Sequence, residues 1–238
     1  MQGCAAGCVR VAVCVLVGVL CASRAAIADP SGDGEGAPRI ATERADLPAR
    51  LADPDTSYGR IDGDLGLVLG VGATVGGGSP RGSAELRARY VDTAGIFVTY
   101  EDALGNEGTG PRRVLATGLE LRPLFLGRWV TGRELGLAWP DLVIDSLGFE
   151  VGAFFQEPPG SSFGTRPGLQ AGLGLEVPLL GRASGPWLDI HAGARWSDAV
   201  LGGGAINGPS DRAFVVSLTV AYHQLLAAHL VDLNDRAP

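Results

Sequence analysis

Residues 60–75 read RIDGDLGLVLGVGATV, and the chemical character of this stretch changes with a period of two residues. The aliphatic side chains fall mainly on odd positions, at Ile61, Leu65, Leu67, Leu69, Val71 and Val75. The even positions carry mainly charge, glycine or hydroxyl groups, at Arg60, Asp62, Asp64, Gly66, Gly70, Gly72 and Thr74. Successive side chains of a strand point to opposite faces, so this period predicts a β-strand with one apolar and one polar face.

The same period recurs in seven further stretches, which brings the number of predicted strands to eight. These stretches are residues 84–90, 94–101, 115–122, 146–155, 169–177, 188–196 and 214–223. Turns rich in glycine, proline and asparagine separate most of them, as expected for antiparallel neighbours. Residues 124–142 are the exception, because this longer connection contains Trp129, Trp139 and Pro140 and predicts a short amphipathic helix.

The content of the polar face indicates which side of the strands points outward. Glycine accounts for 37 of the 238 residues, about twice the usual ~7%, and many of these glycines share the polar face with charged residues. Glycine on a water-exposed strand face lowers stability, whereas inside a narrow barrel it leaves room for large neighbours. The aliphatic face then points outward, which is favourable in lipid.

The fold prediction is therefore an all-β protein: a closed antiparallel up-and-down transmembrane β-barrel of about eight strands. Closure is required because lipid offers no partners for unpaired backbone groups. A soluble β-sandwich or a lipocalin-like barrel has the same two-residue period and is the alternative.

The predicted lumen collects side chains of both charges. The acidic ones are Asp62, Asp64, Glu85, Glu101, Glu120, Glu150, Glu176 and Asp189. The basic ones are Arg60, Arg87, Arg89, Arg122 and Arg195, with His191 as a further candidate. Buried charges need partners, so we expect a network of ion pairs that fills the barrel. The alternative is a gated ion path or a small-ligand site.

The apolar run at residues 11–21, followed by small residues, predicts an export signal. This signal, the eight alternating stretches and the even strand number together resemble the small bacterial outer-membrane barrels of the OmpA/OmpW/OmpX type. The resemblance covers roughly residues 58–223 and is one of pattern. It implies an outer-membrane location, a periplasmic N-terminus and the membrane lipid and assembly machinery as partners. Sixteen residues follow Tyr222, whereas such barrels usually end on an aromatic residue. The candidates for interfacial aromatic residues are Tyr90, Tyr100, Trp187, Trp196 and Tyr222.

The N-terminus has the order of a secretory signal peptide. Residues 11–21 are an unbroken apolar run, too short for a membrane helix of roughly 20 residues. The small residues Ala26 and Ala28 then match a cleavage site, with cutting after Ala28. A retained membrane anchor and a lipoprotein acylated at Cys21 are the alternatives; the latter is disfavoured because Leu20 precedes that cysteine.

The sequence therefore predicts four segments: a signal peptide at 1–28, a flexible periplasmic arm at 29–57, a barrel at 58–224 and a C-terminal tail at 225–238. The arm is polar and rich in proline, glycine and alanine, with a possible short helix at 42–51.

The sequence contains few of the motifs expected of a catalytic or metal-binding site. All four cysteines lie within the predicted signal peptide, so the mature chain has no thiol chemistry. The histidines at 191, 223 and 229 lack metal-ligand spacing. Asp189 and His191 with Ser197 or Ser217 lack a nucleophile elbow. We expect no catalytic, cofactor-binding or metal site and a non-enzymatic protein.

The charge balance argues against a nucleic-acid partner. The chain contains no lysine, and after signal removal 17 arginines oppose 26 acidic residues, a net charge of about −9. Affinity for nucleic acid depends on neutralising phosphates with basic side chains.

Three functions remain compatible with this pattern. The first is a barrel with a packed, charge-paired lumen and a structural, surface-contact or envelope role. The second is a narrow channel or small-molecule transporter through the same barrel. The third is a soluble periplasmic β-barrel that binds an apolar ligand.

N-terminal sequencing of the protein recovered from cell envelopes tests the predicted compartment. We expect the mature chain to begin at Asp29, within a few residues, because Ala26 and Ala28 satisfy the small-residue rule for signal cleavage. Full-length protein that still begins with Met1 would refute the prediction.

Overall fold

Eight antiparallel strands form a closed barrel in a computed structural model that describes residues 58–61, 63–105, 110–158, 160–208 and 210–228. Each strand pairs with the next one in the chain, and the eighth pairs with the first. The strands are β1 (Leu65–Gly76), β2 (Arg81–Tyr90), β3 (Ala94–Asp102), β4 (Arg113–Leu121), β5 (Gly148–Glu157), β6 (Gly168–Pro178), β7 (Gly185–Trp196) and β8 (Arg212–Leu226). The predicted closed antiparallel up-and-down barrel of eight strands is confirmed.

The two ends of the barrel are built differently. One end, called here the helical end, holds the start of β1, the end of β8 and the connections at 91–93, 122–147 and 179–184. The other, the loop end, holds the connections at 77–80, 103–112, 158–167 and 197–211.

The outer surface of the barrel is aliphatic, as the period predicted. Exposed apolar side chains occur on seven of the eight strands, and the outward apolar residues of β7 are half-buried. The exposed side chains include Val71, Val75, Leu86, Ile96, Val98, Leu115, Leu119, Phe149, Val151, Leu169, Leu173, Phe214, Leu218 and Val220. Among the described residues, no helix is long and apolar enough to cross a membrane.

The interior is largely polar but contains a small apolar cluster. Phe97, Val114, Ala116 and Phe154 pack together inside the barrel. The guanidinium group of Arg87 lies 5.6 Å from the centre of the Phe97 ring. The cluster occupies inward positions without charged side chains. Its aromatic rings can therefore form cation–π contacts with the neighbouring arginines.

Two glycines allow neighbouring strands to approach closely. Gly118 of β4 and Gly152 of β5 face each other in register. A methyl group added at Gly118 would lie 2.2 Å from the carbonyl oxygen of Val151. The backbone of the neighbouring strand therefore leaves no room for a side chain at position 118. This agrees with the predicted role of glycine in a narrow lumen.

The long connection between β4 and β5 folds as two helices rather than the single short helix that its sequence predicted. They are α1 (Leu124–Thr131) and α2 (Ala138–Asp145). Helix α1 ends at Gly132, whose left-handed conformation at φ 60° suits glycine. Phe125 and Leu142 are fully buried, so the pair of helices packs onto the barrel instead of lying free. A third, four-residue helix, α3 (Asp198–Leu201), lies at the loop end.

The proposal that Trp187 is an interfacial aromatic residue is wrong. Its side chain is 3% exposed, its indole N–H donates to the Ala183 carbonyl oxygen at 3.1 Å, and its ring stacks on His223 at 4.6 Å. Position 187 has the inward parity of Asp189 on the same strand, which explains the burial.

The predicted segment boundaries are only partly covered by the structure. The signal peptide and the periplasmic arm lie outside the described residues, and so do Asp62 and residues 229–238. Strand β8 continues to Leu226, which pairs with Leu65, so it extends two residues into the predicted tail.

Candidate functional site: the charged lumen

The charged lumen is built by strand parity. Glu85, Arg87 and Arg89 occupy every second position of β2, so all three side chains point inward. Inward residues of the other strands meet them across the barrel. The predicted lumen residues on strands β2 to β7 and Arg122 beside β4 are all buried, which confirms their placement.

Arg87 is the centre of the network. Its side chain is 1% exposed, and its guanidinium group has several acceptors at once. The acceptors are Glu150 at 2.5 Å, Glu85 at 2.9 Å and Glu120 at 3.0 Å, and His191 Nε2 lies 3.1 Å away. A guanidinium group presents five N–H donors in a fixed plane, so one arginine can bridge strands on opposite sides of the lumen.

Two further arginines lie nearer the helical end and share their acceptors. Arg89 Nε donates to Glu120 at 3.2 Å, and Arg122 Nε donates to the same carboxylate at 2.6 Å. Both guanidinium groups also bind Glu176. Removing either carboxylate would therefore leave two buried arginines to share the one that remains.

A separate group of charges lies nearer the loop end. Glu101 accepts from Arg81 Nε at 2.8 Å and from Arg195 Nη2 at 2.6 Å. Arg195 also donates to the Gln170 side-chain oxygen at 2.7 Å and lies 5.8 Å from the centre of the Phe154 ring.

Asp189 differs from the other buried carboxylates because its contacts include no arginine ion pair. The side chain is fully buried, and its Oδ1 atom has no hydrogen-bond partner. Its Oδ2 atom lies 3.4 Å from His223 Nε2, and the same imidazole nitrogen lies 3.5 Å from Glu176 Oε2. The stacked ring of Trp187 fixes the plane of His223.

The helical end is closed by a second set of ion pairs, which we call the cap. Arg60 donates to Asp145 at 2.7 Å, and Arg128 donates to the same carboxylate at 2.6 Å. Arg128 also binds Asp141 at 2.5 Å. The Arg60 guanidinium group lies 4.6 Å from the centre of the Phe125 ring. These contacts tie both helices to the chain that enters β1.

The Asp141 carboxylate organises the loop between α1 and α2. It accepts from the backbone N–H groups of Leu135, Gly136 and Leu137 at 2.9, 3.0 and 3.2 Å. Burial acts to raise the pKa of Asp141, but hydrogen bonds, chiefly from the Leu135 N–H and Arg128, outweigh it and lower the pKa. This pairing stabilises the cap above the ordinary carboxyl pKa of about 3.9, and the stabilisation is lost as pH falls through the lowered value.

Tyr58 connects the start of the described chain to the cap. Its hydroxyl donates to Asp141 at 2.9 Å. Burial, followed by this hydrogen bond to a carboxylate, raises the pKa of Tyr58 to about 12. The tyrosine hydroxyl therefore remains a proton donor throughout the physiological range.

Little free volume remains between the charged side chains. A cavity of about 30 Å³ lies in the lumen, lined by polar groups that include Thr74, Ser83 and Thr99. A volume of this size holds about two water molecules. The Thr74 and Ser83 hydroxyl oxygens in its wall have no hydrogen-bond partner within the protein. A larger pocket of about 250 Å³ opens at the loop end between the residues around Gly164 and Asp198.

The structure separates some groups that the sequence placed together. Asp64 lies half-buried at the helical end, where its carboxylate accepts from the Ala228 N–H at 2.6 Å, outside the main network. The hypothetical triad does not form, because His191 contacts Glu150 at 2.9 Å while Asp189 contacts His223.

Several residues of the lumen and the cap were not predicted from the sequence. Arg81 and His223 lie in the lumen, and Asp141 and Asp145 lie in the cap. Arg81 has the same parity as Arg87 on β2, and this signal was available. The cap acids carried no such signal, because their burial depends on how α2 packs against the barrel.

Comparison with solved structures gives a structural likeness. The chain is similar to the crystal structure of Neisserial surface protein A (NspA), with a TM-score of 0.37 and 10% sequence identity over 68% of this chain and 97% of that one. No protein-family model matches the chain, and no curated protein matches its sequence.

Truncating one partner of the network tests whether the lumen charges are paired and dry. Glu120→Ala and Arg122→Ala should each lower the urea unfolding midpoint in detergent, because breaking a buried pair costs about 3–5 kcal/mol. The matched control is Arg112→Ala: this arginine is 56% exposed and lies 3.9 Å from Glu157, and an exposed pair contributes about 0–1 kcal/mol. Unchanged midpoints for both lumen variants would show that the charges are solvated.

Proposed function

We propose that this chain is a non-enzymatic outer-membrane β-barrel whose lumen is packed and charge-paired, with a structural, surface-contact or envelope role. One observation carries the proposal: aliphatic side chains cover the outside of a closed barrel whose interior holds the arginines and carboxylates. This is the reverse of the arrangement that water favours for a folded protein.

The exposed aliphatic surface supports a membrane location. Soluble monomers rarely expose contiguous apolar patches larger than a few hundred Å², whereas here exposed apolar residues occur on seven of the eight strands. The strands are 9 to 15 residues long, and about 9–11 tilted residues cross the hydrocarbon layer. The closed hydrogen-bonded ring leaves no strand edge exposed to lipid.

The filled lumen favours a structural role over transport. Arg87, Arg89 and Arg122 cross-link inward carboxylates of different strands, and the cap covers the helical end. An ion moving through the barrel would have to break these pairs, at a cost of several kcal/mol for each.

A narrow channel is the second candidate. The small cavity towards the loop end and the unpaired hydroxyls of Thr74 and Ser83 favour it, because such groups usually bind water. Recordings in planar bilayers distinguish the two functions: the packed barrel predicts no steady conductance, and a channel predicts discrete openings.

The charged interior argues against a soluble barrel that binds an apolar ligand. Such a ligand would need an apolar cavity, and the described lumen holds ion pairs around about 30 Å³ of free space.

We further propose that the helical end faces the periplasm and the loop end faces the outside. The predicted signal peptide and arm precede β1 at the helical end, which fits a periplasmic N-terminus. The partners in this proposal are the outer-membrane lipid and, during biogenesis, the assembly machinery.

Arginine at a lipid-facing position tests the membrane location. Leu173 lies in the middle of β6, is 48% exposed and pairs with the outward Phe149. Leu173→Arg should impair insertion into the outer-membrane fraction or lower stability there, because a lipid-facing arginine at the bilayer midplane costs about 2–4 kcal/mol.

Two controls separate the membrane effect from other effects of the substitution. Leu173→Ala removes the same side chain without adding charge, and Thr165→Arg adds the same charge in an exposed loop. Both should insert much as the unmodified protein does. If Leu173→Arg remains soluble, folded and fully stable in water, the outer surface does not contact lipid.

A further inference from the structure

Three strands that meet at the helical end bring Glu176, Asp189 and His223 together. Glu176 of β6 and Asp189 of β7 are direct register partners, and His223 comes from β8. All three side chains are buried. The three residues are far apart in the sequence, which is why no metal-ligand spacing was visible there.

The separations between these side-chain atoms match those of a tetrahedral metal site. His223 Nε2 lies 3.4 Å from Asp189 Oδ2 and 3.5 Å from Glu176 Oε2. Zinc binds imidazole nitrogen and carboxylate oxygen at about 2.0–2.2 Å in a tetrahedron, which places neighbouring ligand atoms about 3.3–3.6 Å apart. The three ligand atoms all lie within 4.8 Å of one another, so side-chain adjustments would bring them around one ion.

Asp189 provides an independent indication that a cation belongs here. Its Oδ1 atom is buried and has no hydrogen-bond partner, and no arginine forms an ion pair with the carboxylate among the described residues. An unpaired buried carboxylate is costly, so such groups in proteins are usually paired with a cation or coordinate a metal.

The net charge of the surrounding buried side chains also favours a bound cation. Three arginines lie in this part of the lumen, at positions 87, 89 and 122, and they neutralise three negative charges. The buried carboxylates there are Glu85, Glu120, Glu150, Glu176 and Asp189. With neutral imidazoles the formal charge is −2, which a divalent cation would balance.

A second cluster around Asp189 is less suited to a metal. It consists of Glu85, Asp189 and His191. Both ring nitrogens of His191 face the Arg87 guanidinium group, at 3.1 and 3.4 Å. Arg87 would therefore repel a cation directly at the His191 ring. In the first cluster Arg89 and Arg122 contact the Glu176 carboxylate, whereas the His223 Nε2 atom faces the two carboxylates.

We propose that Glu176, Asp189 and His223 form a binding site for a divalent cation of the zinc class. Imidazole with carboxylates is a ligand set that zinc accepts, and three protein ligands leave a fourth position for water. The stacked Trp187 ring orients His223 towards the two carboxylates. A small cavity of about 10 Å³, lined in part by Arg89, Asp92 and His223, lies beside the site.

Titration of the purified, metal-stripped protein with Zn²⁺ alone tests the site. We expect one Zn²⁺ per chain by calorimetry and by metal analysis. Zn²⁺ at about 100 times its Kd should shift the unfolding equilibrium about 100-fold towards the folded state. Asp189→Asn and His223→Gln should each weaken binding by at least about 100-fold, the upper end of the effect of losing a supporting residue.

The variants remain informative if stability changes. Without metal, Asp189→Asn should be at least as stable as the unmodified protein, because it removes an unpaired buried charge. The matched controls are Asp198→Asn, in the short helix at the loop end, and His229→Gln, outside the described residues. Both should bind Zn²⁺ normally.

Three results would overturn the proposal: no Zn²⁺ binding by the unmodified protein, equal binding by Asp189→Asn, or binding that is lost in His191→Gln but kept in His223→Gln. The first result would mean that the cluster does not bind this cation, and the third would assign the metal to the second cluster.

Discussion

The pairing of buried arginines with buried carboxylates is the interaction on which the rest of the barrel depends. Arg87 alone joins carboxylates from β2, β4 and β5. Without these pairs the inward face would carry uncompensated charge in a space with little room for water, and eight strands could not close around it. With them, the polar residues have their partners inside, and the aliphatic residues are left to form the outer surface.

The same interaction explains the form of the helical end. The long connection between β4 and β5 would otherwise leave the lumen open on that side. Arg60 and Arg128 bind the α2 carboxylates, and Phe125 and Leu142 are buried beneath the helices. Asp141 also holds the interhelical loop by accepting from its backbone N–H groups, so the cap weakens in acid when this carboxylate is protonated.

The sequence predicted the strands and the orientation of their faces because both depend on local parity. Leu173 and Glu176 differ in parity, and they lie outside and inside as expected. The partners of each charge could not be predicted in the same way. The meeting of Asp189 with His223 depends on the register of β7 with β8, and parity alone does not give register.

The cap could not be predicted from the two-residue period of the sequence. Residues 124–142 show no two-residue period, and the burial of Asp141 and Asp145 arises from packing between α2 and the barrel. The error on Trp187 has a different cause, because its inward parity was visible in the sequence. The general preference of tryptophan for membrane interfaces favours an outward position, but strand parity places the Trp187 side chain inside the barrel.

Site-specific quenching from the lipid phase tests the central claim, the orientation of the two faces, most directly. The mature chain predicted here lacks cysteine, so a fluorophore can be attached at single introduced cysteines. In vesicles that contain a lipid-bound quencher, labels at Leu67, Leu173 and Leu218 should be quenched. Labels at the inward positions Thr74 and Thr219 should not be. The inverse pattern, with quenching at the threonines only, or equal labelling without any quenching, would contradict the account.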